Sequence, residues 1–382
     1  MPHKNLATLF QNRTYLNAAR AGIKYTVDGR EASLSWQQVG TEVRNIGRAL
    51  LARGLKPGDR VGIWSRLQPE AILAELATIS LGGVSIAIDP EIPFETGFQQ
   101  LQRSGAPYLF LEGKESIEQT MKRTSDLQSM KVFVALGQKD APHISGIPSL
   151  STFKSDGRAV PAVQFYDRLE QVGSDNEACW IFGNGGRENS SEFRLTHAQI
   201  LANSLSLSES LALTSADTCL SLLPLSHATE RTFGLYAMIC SGAAIAFSER
   251  PEDIVPDLSL FRPNLLLCRN RTLSQIHHHF QEHFRSALPP MRYLFQSAVA
   301  DASTPTLAGR FVFPRIRKMM GGEIRTVAYP QEDVDPNVAA FFRAMEIDLL
   351  PFETAPDLPN VIGLKVRPFK GKERATSTAR IG

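Results

Sequence analysis

The sequence predicts an α/β fold built on parallel sheets, and three observations predict it. Short apolar runs of strand character alternate with longer runs of helical period. Most of the strand-like runs are apolar at every position, as expected when helices cover both faces of a sheet. The chain also has the balance of a globular protein, 43% hydrophobic and 21% charged over 382 residues, and is long enough for two domain-sized units.

Taken in order, Trp36 to Leu51 reads as a helix, closed by the turn Arg53-Gly54-Leu55-Lys56-Pro57-Gly58-Asp59. A strand at Arg60–Trp64, a helix at Glu70–Leu81, a strand at Val84–Ile88, a helix at Phe94–Ser104 and strands at Tyr108–Leu111 and Lys131–Ala135 complete a first group. Residues 137–172, rich in Pro, Gly, Ser and Asp and without a sustained period, read as a linker. The alternation resumes with strands at Ala178–Phe182, Cys219–Leu222, Ala243–Phe247, Asn264–Leu267, Ile324–Ala328 and Ile347–Leu350. Helices are expected at Thr196–Leu211, Thr272–Phe284 and Asp335–Met345. The expected division is a first α/β region with its linker over 1–172, a second α/β region over 173–360, and a basic tail over 361–382. From Lys365 onward six basic residues stand against one acid, which reads as a solvated end or a contact for phosphates or an acidic partner.

The net charge of +2 gives no reason to expect a nucleic-acid partner. Cys179, Cys219, Cys240 and Cys268 lack CxxC spacing and fall in apolar runs, so they read as reduced core residues. No apolar stretch approaches a membrane span and the N-terminus has no signal-type run, so a cytoplasmic location is expected. His277, His278, His279 and His283 invite a metal reading, but without an HExxH pattern a solvated helix face is the plainer account.

The segment Leu222-Leu223-Pro224-Leu225-Ser226-His227-Ala228-Thr229-Glu230-Arg231 carries more information. It resembles the LPLSHxxER signature of long-chain acyl-CoA synthetases, members of the AMP-forming adenylating-enzyme superfamily. Lys56-Pro57-Gly58-Asp59-Arg60-Val61, Leu195-Thr196-His197, Ser241-Gly242-Ala243 and Phe313 to Gly322 fall in family-like order around it. The resemblance runs from about residue 20 to about residue 360 and implies two parallel-sheet subdomains like those of the family's large N-terminal domain, with N-terminal strands able to pack with the second subdomain, so the boundary at 172 is approximate. It also implies ATP-dependent acid–thiol ligation as the ancestral chemistry, with His227 and Thr229 beside the acyl substrate.

The nucleotide motifs depart from that pattern. Where the family has a phosphate loop of the form YTSGTTGxPKG, this chain reads Phe182-Gly183-Asn184-Gly185-Gly186-Arg187-Glu188-Asn189-Ser190-Ser191-Glu192. Gly183, Gly185, Gly186 and Arg187 are what remain as candidates for phosphate contact. The adenine loop SGGAPL becomes Tyr329-Pro330-Gln331-Glu332-Asp333-Val334, and YGxTE becomes Glu353-Thr354-Ala355-Pro356-Asp357, with Asp357 in the place of the Mg²⁺-binding acid. Relative to the family, the third subdomain and the C-terminal lid are also expected to be missing. These departures predict a non-catalytic relative without a nucleotide cofactor, which binds an acyl ligand, a protein partner or a second copy of itself. The alternative is an acyl-activating subunit completed in trans, holding ATP or AMP and Mg²⁺. In bland terms His227 is a hydrogen-bonded histidine at a strand end, and Glu230 and Arg231 make local ion pairs at a helix start.

Overall fold

The computed structural model describes residues 3–137, 146–183, 192–300, 307–330, 334–353 and 363–364. Its strands are β1 (Ala21–Val27), β2 (Arg30–Ser35), β3 (Arg60–Trp64), β4 (Val84–Ile88), β5 (Tyr108–Glu112), β6 (Val132–Leu136) and β7 (Glu177–Phe182). They continue with β8 (Glu192–Thr196), β9 (Thr218–Ser221), β10 (Ala244–Phe247), β11 (Leu265–Leu267), β12 (Thr326–Pro330), β13 (Asp348–Glu353) and β14 (Gly363–Leu364). One sheet has the order β6-β5-β3-β4-β7-β8 and the other β14-β13-β12-β11-β9-β10-β1-β2. Pairing is parallel throughout except at β1/β2, β7/β8 and β13/β14. The expected α/β architecture is therefore present, and its central parallel strands, such as β4, β9, β10 and β11, are buried on both faces.

The two sheets do not divide at residue 172. The N-terminal hairpin β1–β2 joins the larger sheet beside β10, while β7 and β8, from beyond residue 172, join the smaller sheet beside β4. The hairpin is seated by Trp36, whose indole N–H donates to the Gly242 carbonyl at 3.2 Å. A Cβ on Gly22 would stand 2.7 Å from that indole, so only glycine lets the strand pass.

The three largest apolar clusters among the described residues follow from the period-two alternation of the strands. Between the sheets, Ile63, Phe110, Cys219 and Ile245 meet residues of the helices Leu6–Leu16, Trp36–Ala52 and Pro69–Ser80. Outside the larger sheet, Leu220, Ala246, Leu266 and Val327 pack on the helices Asn270–Arg285, Leu307–Met319 and Pro336–Ala344. Outside the smaller sheet, Trp64, Leu109 and Leu111 pack with Phe98 and Ile117. All four cysteines are free and buried in these layers.

Helix starts follow local chemistry. Ser35 caps Trp36–Ala52 by accepting from the Gln38 N–H at 3.2 Å, and the Gln38 side chain returns a bond to the Ser35 N–H at 2.8 Å. Thr196 and Gln199 repeat the arrangement at His197–Ser210. The expected linker at 137–172 is corrected by helices at Leu150–Asp156 and Ala162–Glu170, which bury Phe153, Phe165 and Leu169 against the Trp36–Ala52 helix. Helices of two turns supply one or two apolar pairs, too few to show a period.

One polar network fastens the sheets together. Arg231 forms an ion pair with Glu75 of the Pro69–Ser80 helix, with both side chains at most 1% exposed. Its second terminal nitrogen donates to Ser85 Oγ on β4 at 3.2 Å, and the Tyr236 hydroxyl donates to the same Glu75 oxygen at 3.1 Å. The expected local ion pairing at the helix start is thus corrected for Arg231, which reaches 156 residues back in the sequence to Glu75, the acid that compensates its charge inside the layer among the described residues. Removing one member of such a pair strands the other without water. Arg231→Met is therefore expected to destabilise the fold by about 3–5 kcal/mol, read from urea midpoints. Adding Glu75→Leu should restore more than half of that loss; a double variant as weak as the single one would contradict the pairing.

Candidate functional site

The Leu222–Arg231 segment leaves the C-terminal end of β9, turns at Ser226, and enters a π-helix over Glu230–Ala237. Single π turns occur often at functional sites, since the extra residue per turn re-aims side chains. Here the turn points Glu230 and Arg231 in different directions. Ser221 Oγ donates to the Glu230 carboxyl, whose other oxygen has no partner among the described residues. Burial pushes the Glu230 carboxyl up to about 8, against opposing effects from Ser221 and Arg231. Gly234 is required one turn on, because a Cβ there would run into the Glu230 carboxyl.

His227 lies half-buried in the turn. Its Nδ1 accepts from the Thr229 N–H at 3.2 Å, and its ring meets Phe352 of β13 edge-on at 5.8 Å. Burial, then the charge of Arg269, pushes its pKa down to about 4, so the ring is neutral at physiological pH. Thr229 is buried beside it. The structure therefore brings His227, Thr229 and the end of β13 together. Gly183 follows β7 on the other sheet. Gly185, Gly186, Arg187 and Asp357 lie outside the described residues, as do Gln331, Glu332 and Asp333. Of the histidine cluster, His277 is buried against Phe341 at 4.9 Å while His278, His279 and His283 face solvent. This makes His277 a core residue, against the expectation of a wholly solvated face. No group of three or more His, Cys, Asp or Glu suited to a metal ion occurs among the described residues.

An opening adjoins the Leu222–Arg231 segment, with Ser221, Leu222, Leu223 and Pro224 in its wall. A cavity of about 720 Å³ sits where C-terminal strand ends of both sheets converge, the usual ligand position in open α/β sheets. Its volume falls in the roughly 300–1,000 Å³ range of small-molecule sites. Tyr25, Leu34, Leu67, Leu73, Leu223 and Phe247 form its apolar wall. Six carboxylates line it (Glu42, Glu70, Asp89, Glu91, Glu112 and Glu249) against two bases, Arg66 and Lys154. Arg66 pairs with Glu112 at 2.7 Å and Lys154 with Glu42 at 2.5 Å, while Arg269 reaches Glu91 at 2.7 Å and Asp89 at 3.5 Å. Glu70 accepts from the Gly137 N–H at 2.5 Å. Burial raises the carboxyl pKa of both Glu70 and Asp89.

Sequence reasoning missed these acids because they come singly from separate elements: Asp89 and Glu112 at strand ends, Glu70 at a helix start, Glu42 within a helix and Glu91 and Glu249 in loops. One signal was available: Asp89 and Glu112 directly follow or close the apolar runs VSIAI and YLFL. A second was Glu75, an acid inside the apolar helical run AILAELATIS.

Glu230 gives the site a pH signature of definite sign. Its folded pKa of about 8 exceeds the ordinary 4.5, so the unfolded chain loses this proton first and stability falls as pH rises from 4.5 to 8. His227 and His197, both held near 4 against an ordinary 6.5, act oppositely and cost stability as pH falls from 6.5 to 4. Glu230→Gln is expected to remove a slope of up to about 1.4 kcal/mol per pH unit and to move the stability optimum toward alkaline pH. Thermal melts at several pH values would show this, and an unchanged profile would place the proton elsewhere.

Comparison with known proteins accounts for the architecture. The family model described as AMP-binding enzyme matches residues 12–348. Fatty acyl-CoA synthetase A of Dictyostelium discoideum is 24% identical over 335 residues, covering 83% of this chain and 49% of its own. The peroxisomal long chain acyl-CoA synthetase 6 of Arabidopsis thaliana is 23% identical over 365 residues, covering 89% and 51%. The chain thus spans about half the length of these relatives. Among solved structures, the N-terminal domain of FACL13 from Mycobacterium tuberculosis superposes with a TM-score of 0.69 at 12% identity, covering 94% of this chain and 77% of that one. The A-PCP didomain of carboxylic acid reductase from Segniliparus rugosus, solved with AMP, gives 0.74 at 15% identity, covering 93% and 52%. With the acyl-CoA-synthetase motif in place at the end of β9 and the family model spanning most of the sequence, this chain belongs to the AMP-binding enzyme family.

Proposed function

We propose that this protein is an acyl-CoA-synthetase-like member of the family that binds an acyl ligand without activating it. The observation that carries the proposal is the cleft itself: an apolar cavity at the strand ends whose lining has six carboxylates and two bases. A nucleotide or coenzyme A brings several negative charges. Arg66, Lys154 and Arg269 offset part of the acidic charge; each like-charge pair left unscreened at ~8 Å costs about 2 kcal/mol at an effective dielectric of ~20, so the excess of acids opposes a polyanion.

The described nucleotide positions support the same reading. Pro330 ends β12 where the family places a glycine, and it has no N–H to donate to a ligand. Glu353 closes β13 at the position where the resemblance implies an adenine-stacking tyrosine, so the sequence has no aromatic residue there. Phe352 beside it is fully buried and packs on His227, so the end of the strand serves the core. These positions count against ATP, and no catalytic step is assigned to them.

An acyl chain would take the apolar wall at about 0.8 kcal/mol per buried methylene. The carboxylates favour a chain with a neutral or cationic head, such as an ester, an amide or an amine, over a free fatty acid. Calorimetric titration is expected to give no saturable heat at about 1 mM Mg-ATP, where binding would be worth only ~4 kcal/mol. A fluorescent long-chain probe should bind and be displaced better by an acyl amine or ester than by the fatty acid. Leu34→Trp, which fills the cavity wall, should abolish probe binding. Saturable Mg-ATP binding, or displacement favouring an acyl-AMP mimic, would return the chain to the nucleotide-using members of the family.

A further inference from the structure

The helices Pro289–Ala300 and Leu307–Met319 pack on each other outside the larger sheet. Their inner faces are accounted for: Phe295, Ala298, Val312, Phe313 and Ile316 enter the outer core. Their outer faces are not. On Leu307–Met319 the exposed positions are Leu307, Arg310, Phe311, Pro314, Arg315 and Lys318, a single stripe at helical spacing. On Pro289–Ala300, Arg292, Tyr293 and Gln296 make the matching stripe. Arg315 reaches Met291 Sδ at 3.8 Å, so the two stripes adjoin.

Two properties of this surface coincide. Eight large hydrophobic side chains are exposed among the described residues, and four of them are here: Leu288 at 79%, Tyr293 at 71%, Leu307 at 76% and Phe311 at 66%. A folded chain tolerates such residues singly, whereas a contiguous patch marks an interaction site. The second property is charge. Residues 285–322 contain six basic side chains and one acid, Asp301, although the protein as a whole is almost neutral at +2. Arg317 of the six is spent inside, donating to the Gly322, Ile324 and Met345 carbonyls. Arg292, Arg310, Arg315 and Lys318 form no ion pair with a described residue.

We infer that this hairpin docks the protein on an anionic lipid bilayer surface. Aromatic and aliphatic side chains standing between arginines match the two layers of such a surface, acyl chains below and phosphate headgroups above. No described helix is long and apolar enough to cross a membrane, so the contact is peripheral. A protein partner would need a complementary acidic and apolar face; a bilayer supplies both properties over any area. This inference goes beyond the acyl-binding proposal and stands on residues that line no part of the cavity.

The test is vesicle co-sedimentation of the full chain. Binding to vesicles of phosphatidylcholine with phosphatidylglycerol should be at least about tenfold tighter than to phosphatidylcholine alone, since each basic residue near the surface adds attraction. It should weaken at roughly 0.5 M salt, where screening shortens to a few ångströms. Arg310→Glu with Arg315→Glu should reduce binding at least about tenfold, and Leu307→Ser with Phe311→Ser should do likewise. All four sites are exposed, so melting temperatures should hold and separate lost docking from lost folding. The inference is overturned by absence of sedimentation, by equal binding to both vesicle types, or by variants that bind as the parent does. A concentration-dependent dimer that Phe311→Ser dissolves, with no vesicle binding, would overturn it in favour of an interface between copies.

Discussion

The Glu75–Arg231 pair is the constraint on which the arrangement of the two sheets depends. Arg231 enters from the strand-end turn of one sheet, Glu75 from a helix between the layers, and Ser85 from a strand of the other sheet. A charge so fully desolvated tolerates little displacement, because its compensation falls away with distance while the cost of desolvation stays. Apolar layers alone would permit the sheets to slide by a residue or a turn. The pair admits one register, and the Tyr236 hydroxyl on the same carboxylate narrows it further.

This gives the acyl-CoA-synthetase signature a structural meaning in this chain. In Leu222–Arg231, Arg231 locks the sheets, Glu230 holds Ser221, and His227 packs on Phe352. None of these contacts requires a nucleotide. A family signature can therefore stay readable while neighbouring motifs change, when its residues also fasten the layers. Gly234 belongs with them: its missing Cβ is the room into which the Glu230 carboxyl folds.

What the sequence revealed follows the same division. Strands such as Val84–Ile88 and helices such as Phe94–Ser104 were legible to the residue, because burial on both faces or on one stripe writes a clear period. The hairpin β1–β2 was not, since its burial is mixed and its seat depends on Gly22 and Trp36 meeting in space. The helices within 137–172 were too short to show a period. His227 and Thr229 were found through the motif, and the structure brings them together, yet the cleft carboxylates were invisible as a group. Asp89, Glu112 and Glu70 come from separate elements, and only parallel topology gathers their strand ends on one side. For the same reason Arg231 was assigned a local partner: a sequence displays neighbours at i+3 or i+4 and conceals one 156 positions away.

Ser221 connects the framework to the cavity. It lines the cleft and donates to Glu230, whose second oxygen is already without a partner among the described residues. A ligand that drew the Ser221 hydroxyl toward itself would leave that carboxyl with no hydrogen bond at all, at a cost of about 1–3 kcal/mol. A ligand that leaves Ser221 in place avoids the penalty and meets only the apolar wall and the carboxylates. Coupling of this kind is reciprocal: whatever fixes the proton on Glu230 also fixes the cavity wall, and a bound ligand must in turn bias that proton. Burial sets most of the acidity of Glu230, and the Ser221 hydrogen bond is the part of it that a ligand in the cleft would change.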